Sequence, residues 1–403
     1  MAAEDATPPA RKKLSAVSLL PDGSELKGVM LPRYDENHRL IGVLKAAAIT
    51  LVNEEMIAGD QVAIRFSNPD GSPRGHINLT KAVFNQVRGI LEANEPVTLQ
   101  SDRLRATGTG LFYAFEQGEG FLAGPATTWI QAPIETTMNS SPSPLRATAL
   151  VGISLITQSL AVAPLPAVKT DAAPVSAIHS DATRVARMNL RADLDASSAA
   201  TAKAKAFLEQ AELVSTAPPG NDPEPAAAKP LDINPGPNDT VIRCDGGMYF
   251  DADQGVFVYL KNVRVTDPRF TLTGANELKV FLGKKPEDPA KAPDKKDQAD
   301  QGLGGKFGDV ERIIATGAIA IEQKAANGKD AIKASGAIFA YNIKTDQVTI
   351  TGGYPWLLQQ GICLRAKQPD QTIRLSPKAG SAVADPGDWE TIFNLEQLQK
   401  KPQ

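Results

Sequence analysis

At 403 residues the chain is longer than one small core requires, and two folding units are the natural expectation. Apolar residues at 42% and charged residues at 22% make an ordinary globular composition. A formal net charge of -3 and only 5% aromatic residues exclude a dedicated nucleic-acid binder, which needs a basic excess for phosphates and rings for stacking.

Met1-Ala-Ala-Glu-Asp-Ala-Thr-Pro-Pro-Ala-Arg-Lys-Lys13 has no apolar core and is not an export signal as written. Residues 1–18 read as a disordered lead. The first β-rich unit is expected over 19–135. Ile49-Thr-Leu-Val52 and Val62-Ala-Ile-Arg-Phe66 are short strands, and Asn68-Pro-Asp-Gly71 is a turn whose residues supply fixed and positive φ. His76-Ile-Asn-Leu79 follows, and Glu95-Pro96 punctuates. A phrase of strand, polar break, strand and aromatic then runs over 97–113, and the unit closes at Gly124-Pro125.

Between 136 and 240 the character changes. Arg146 precedes an apolar run over 147–163 that ends in Ala161-Val-Ala163, an imitation of a signal peptide. Ser154, Thr157, Gln158 and Ser159 weaken it as a spanning helix, and it is shorter than the ~20 apolar residues a span needs. A membrane element with inner-membrane association and a buried core segment both stay open. Ser180-Asp181 is placed to cap a helix over 182–213, rich in Ala, Lys, Arg, Glu and Leu. The proline-rich stretch 217–237 reads as a semi-extended linker.

The second β-rich unit is expected over 241–385. It repeats the phrase at 263–278 and again at 319–341, across a turn at Asn327-Gly328. Period-two alternation gives each strand one apolar and one mixed face. A charged insert from Lys284 to Lys306 mixes both signs and reads as a solvated loop. The tail, 386–403, reads as a short amphipathic helix from Asp388. Cys244 and Cys363 lie near the two ends of this unit. They are either two buried thiols or, in an oxidising compartment, a staple between its start and its end.

Catalytic constellations are poorly represented. His38, His76 and His179 are far apart, and no His-Glu-x-x-His, Cys-x-x-Cys, phosphate loop or Gly-x-Ser-x-Gly elbow occurs. Asp251, Asp253 and Asp346 sit at expected turns, where Asp serves the backbone. No catalytic residue, metal ligand or cofactor is therefore assigned, and the chain reads as a non-enzyme. What the strands do repeat is an apolar face, which must be buried against a second sheet, a partner or a ligand. Gly108, Gly110, Gly274, Gly317, Gly336 and Gly352 permit bends that fold the sheet into a sandwich or half-open barrel. A groove of Val, Leu, Ile and Phe between such sheets suits an acyl chain.

The second unit resembles the OstA-like β-jellyroll of the lipopolysaccharide-transport proteins, the LptA/LptC group and the N-terminal part of LptD. The residues that carry the likeness are Gly255-Val-Phe-Val-Tyr-Leu-Lys-Asn-Val-Arg-Val-Thr-Asp-Pro268, the stretches 272–278 and 308–322, and 337–353 with its Val348-Thr-Ile-Thr-Gly-Gly353. The first unit resembles the LptC side of the group over 28–46 and 102–129. The middle segment is not part of the usual single jellyroll and suggests a fusion of two family modules. The resemblance implies a mainly β fold of two antiparallel jellyrolls, in the periplasm of a Gram-negative envelope. It also implies a role in outer-membrane biogenesis, with lipopolysaccharide or a similar acylated glycolipid as cargo. Other Lpt-type jellyrolls would be partners, joined by edge-strand pairing.

On that reading the groove residues of the second unit are Val258, Leu260, Phe270, Leu272, Leu278, Val280, Ile319, Ile321, Phe339, Tyr341, Val348 and Ile350. Those of the first are Ile49, Leu51, Ile64, Phe66, Leu79, Val97, Leu99, Leu104 and Leu111. The competing readings are an envelope scaffold with a closed apolar core, and a carbohydrate-active enzyme with paired carboxylates in a cleft.

Overall fold

The computed structural model describes residues 21–131, 175–212, 236–284, 307–324 and 331–393, apart from 35–37, 54, 68–72, 86–87, 101–103, 115–116, 253 and 378–380. The N-terminal lead, the apolar run at 147–163, the proline-rich stretch, the charged insert, the Asn68 turn and the end of the tail lie outside the described residues. As expected, the fold is mainly β and antiparallel throughout.

The chain opens with four long strands in a meander: β1 (Glu25–Tyr34), β2 (Leu40–Leu51), β3 (Met56–Ser67) and β4 (Pro73–Asn85). Only a few residues separate each strand from the next, too few for a parallel crossover, so the pairing is antiparallel. In β3 the buried positions are Ile57 and Gly59, then Val62, Ile64 and Phe66. The phase slips at Gln61, whose φ is 50°. The pairing register with β2 and β4 is the same on both sides of Gln61, so the paired strands bend together and keep their apolar sides on the same face. Beyond that bend β4 serves two neighbours. Its last residues pair with β5 (Ile90–Ala93), and its earlier ones with β6 (Val97–Gln100). Glu95, between β5 and β6, accepts hydrogen bonds from the Thr80 and Lys81 amides (2.8 Å for Lys81) and so satisfies backbone donors at the bend.

From here the sheet runs as two layers. β7 (Leu104–Gly108) continues from β6, and β8 (Gly110–Ala114) from β5. β9 (Glu119–Ala123) then pairs with β8, and β10 (Ala126–Ile130) with β7. A helix, α1 (Val175–Glu212), precedes β11 (Thr240–Cys244) and β12 (Met248–Asp251). The two layers do not stop between β10 and β11. β10 pairs with β11 from Ala126↔Cys244 to Ile130↔Thr240, and β9 pairs with β12 from Leu122↔Met248 to Glu119↔Asp251. The expected first and second units are thus hydrogen-bonded edge to edge in both layers.

Four more long strands follow: β13 (Val256–Thr266), β14 (Phe270–Lys284), β15 (Phe307–Gln323) and β16 (Ile332–Asn342). Each crosses from one layer to the other through a register shift or a glycine. In β13 the crossing is made by Lys261 and Asn262, with φ of 61° and 48°. In β14 it is made by Gly274 at φ 77°, where a Cβ would lie 2.0 Å from the Ala318 carbonyl oxygen. No side chain fits there. The first layer ends with β17 (Gln347–Thr351) and, next to it, β20 and β21; the second ends with β18 (Trp356–Gln359), β19 (Ile362–Ala366) and β22. The ranges of these last strands are β20 (Thr372–Ser376), β21 (Ser381–Ala384) and β22 (Trp389–Phe393). β22 corrects the expected helix: residues 389–393 are extended and pair with β19. An edge strand supplied a full row of backbone partners, and a short tail helix would have had to nucleate in solvent.

The layers are therefore joined along one side, the spine, where strands bend. On the other side, the mouth, they end in turns.

Candidate functional site between the layers

The inward faces of both layers meet in one apolar interior that runs without interruption from Leu44 on β2 to Leu375 on β20, through the seam between β9–β10 and β11–β12. Of the residues assigned from sequence, Phe270, Leu272, Leu278, Val280, Ile319, Ile321, Phe339, Tyr341, Val348 and Ile350 lie in it. So do Ile49, Ile64, Phe66, Leu79, Val97, Leu99, Leu104 and Leu111. Leu51 is buried as well.

Val258 and Leu260 face the other way. They belong to a second apolar cluster on the outer side of the first layer, under α1. The reason is period two: on β13 it is Phe257 and Tyr259 that point inward, and only after the Lys261-Asn262 bend do Val263 and Val265 take over. Among the inner residues missed in the sequence are these four with Tyr113, Met248 and Phe250. Both β12 and the first half of β13 are apolar at successive positions. That is the signature of a strand buried on both faces, and it conceals which face is which.

Aromatic rings gather toward the mouth. Phe66 of the second layer meets Tyr113 of the first edge-on, with centroids 5.4 Å apart, and Tyr113 stacks at 6.1 Å on Phe250 across the seam. Further along, Phe270 of the second layer meets Phe339 and Tyr341 of the first at 6.1 and 6.0 Å. A polar latch closes the mouth outside this second group. Arg269 donates from Nε to Asp267 at 2.8 Å and from a terminal nitrogen to the Tyr341 hydroxyl at 2.9 Å. The Tyr341 hydroxyl in turn donates to Asp346 at 3.2 Å. Asp267 also accepts from Thr240 at 2.7 Å. Burial pushes the Tyr341 phenol up to about 12. Burial works to raise the Asp267 carboxyl too, but the Arg269 and Thr240 hydrogen bonds outweigh it and hold it below its ordinary value. Tyr259, wholly enclosed, has its phenol raised by burial.

Among the described residues no group of three His, Cys, Asp or Glu converges. Both cysteines are free, so the staple considered for Cys244 and Cys363 is not made. Cys244 on β11 and Cys363 on β19 are separated by β13, β14, β15, β16 and β18. At about 4.8 Å per strand that is roughly 29 Å along the sheet, far beyond disulfide reach. Cys244 Sγ instead lies 3.1 Å from the Gly247 carbonyl, and burial raises its thiol pKa.

The ends of the interior are edge strands. At β1, Leu26, Val29 and Leu31 are half-buried against the cluster while Met30 and Tyr34 are exposed. At the other end Ala382 and Trp389 pack on it, with Val383, Ile392 and Phe393 exposed. Among the described residues β1, β21 and β22 each have a strand on one side only.

No helix among the described residues is long and apolar enough to cross a membrane. No family model matches the chain, and no curated protein matches it. Among solved structures it is similar to LptH of Pseudomonas aeruginosa, described as the LptA-homologous periplasmic component of a lipopolysaccharide transport device. The two are 20% identical, with 38% of this chain and 94% of that chain covered and a TM-score of 0.28.

Proposed function

We propose that this protein is a non-enzymatic periplasmic carrier that holds the acyl chains of lipopolysaccharide, or of a similar acylated glycolipid, between its two layers. The observation that carries the reading is the unbroken apolar interior, which passes through the seam and reaches an edge strand at each end. An acyl chain gains about 0.8 kcal/mol per methylene removed from water, so a long apolar track needs no charged anchor. Edge strands with half-buried apolar residues suit extension by another Lpt-type jellyroll, which would add backbone hydrogen bonds and lengthen the track. The sequence resemblance to the LptA/LptC group points the same way.

One observation favours a second reading, an envelope scaffold with a closed core. Inner side chains such as Leu272, Val280 and Ile350 are already wholly buried by one another. A carrier would therefore have to part its layers at the mouth to admit a chain. Photo-crosslinking separates the two. A crosslinking residue at Leu272 or Ile321 is expected to capture lipopolysaccharide, and one at Arg264, exposed on the outer face of the second layer, is not. Equal capture at inner and outer positions, or none with an intact fold, would sink the carrier and leave the scaffold.

A further inference from the structure

The seam contains a pair of opposed carboxylates. In the register of β9 and β12, Glu119 stands directly opposite Asp251. Like charges directly opposed across an antiparallel pair are destabilising. The Asp251 side chain is only 4% exposed and that of Glu119 19%, so water screens them poorly.

The compensating charge comes from the helix. Lys203 Nζ lies 3.1 Å from Asp251 and 3.8 Å from Glu119, bridging the two halves. It is placed there by an apolar stripe at helical spacing. Ala200, Ala204, Phe207 and Ala211 are buried, and the small residues let the helix sit close to the sheet. Phe207 meets Tyr249 of β12 at 5.8 Å between ring centroids. The same cluster takes in Ile90 and Ala114 from the first half and Val256, Phe281 and Ile314 from the second. Further contacts fix the other end of the crossing: Thr201 donates to Glu277 of β14 at 2.6 Å, and Asp193 pairs with Arg312 of β15. From β15 to β8 is five strand steps, about 24 Å. Residues 190–212 of the helix supply roughly 34 Å, enough to span the junction.

We propose that α1 is a clasp that licenses the seam, with Lys203 as the positioning residue that makes the β9–β12 register tolerable. Without it, β9 and β12 are edges carrying opposed carboxylates. With it, the interior continues from one half to the other. This goes beyond the carrier reading and is independent of any lipid.

The test is amide hydrogen exchange on the full chain without ligand. Lys203→Ala is expected to speed exchange at 119–122 and 248–251 by about tenfold or more, the scale of a lost charge-assisted contact. Exchange in the β2–β3 pairing should not change. Adding Asp251→Asn to Lys203→Ala removes the repulsion and keeps the carboxamide oxygen that accepts from the Gln254 amide (2.8 Å with Asp251), so seam protection should return. Lys203→Arg, which keeps the charge, should leave the rates as they are. Acceleration spread evenly over all strands, no acceleration, or failure of the Asn rescue would each overturn the proposal.

Discussion

The two layers share an interior and differ on their outer faces. In the first layer the outer positions are Phe121, Tyr249, Val256, Val258, Phe281 and Ile314, and a helix covers them. In the second layer the matching row through the seam is Thr107, Thr127, Arg243 and Arg264, of which the two arginines are exposed. Under the helix the first layer is thus core on both sides, and the second on one. Where a sheet has helix on one face and interior on the other, its strands cannot shift register without exposing apolar surface on one side or the other. Under the helix the first layer should therefore be the more rigid member of the pair. Any parting of the layers should be a movement of the second, whose outer face is already solvated.

The largest expected effect tests that asymmetry directly. Phe207→Ala removes a buried ring from the helix and should cost about 3–5 kcal/mol in urea unfolding. Arg264→Ala, on the bare face, should fall within about 0.5 kcal/mol of the parent. Comparable costs at the two sites would mean that the helix is an ornament on the sheet, and the contrast between the layers would collapse.

How much of this was legible in the sequence follows from the same contrast. The mainly β architecture, the bends at glycines and the inward direction of most assigned groove positions followed from period two, because most strands have one polar face. Alternation failed where both faces are apolar, as over Val256-Phe-Val-Tyr-Leu260, and it placed Val258 and Leu260 on the wrong side. The helix was legible from its composition, but not what it covers: Ala200, Ala204 and Phe207 make a narrow stripe among lysines. Its role at the seam depends on Glu119 and Asp251, 132 positions apart in the chain, meeting in register. Nothing local announces such a pair. Nor does the sequence reveal that β9 and β10 find their partners in β12 and β11 rather than in another molecule.

A smaller effect should sharpen the view of the mouth. Tyr341→Phe keeps the ring against Phe270 and Phe339 but removes the hydroxyl that joins Arg269 to Asp346. Arg269 keeps its bonds to Asp267, so no charge is left without a partner. The expected cost is about 1 kcal/mol, the net worth of an ordinary hydrogen bond. It should appear with faster exchange at the mouth end of β16 and unchanged exchange at the spine. If the whole strand loosens equally, the layers are held together by their shared interior alone, and the latch adds nothing.

The subtlest prediction concerns acid. Asp267 has a folded-state pKa below its unfolded value of about 3.9, because Arg269 and Thr240 favour the carboxylate more than burial disfavours it. A group with a depressed folded pKa adds stability that is fully present above the unfolded pKa and is lost as pH falls through the folded one. The contribution should therefore be constant from about pH 5 upward and fade as pH drops below about 4. Because the group ties β11, through Thr240, to the turn that carries Arg269, its protonation should loosen the second layer at the mouth and leave the helix-covered layer in place. Urea midpoints measured from pH 6 down to pH 2 should fall less steeply at the acid end for Asp267→Asn than for the parent, with parallel curves above pH 5. Parallel curves at every pH would show that this carboxylate titrates alike in folded and unfolded chains.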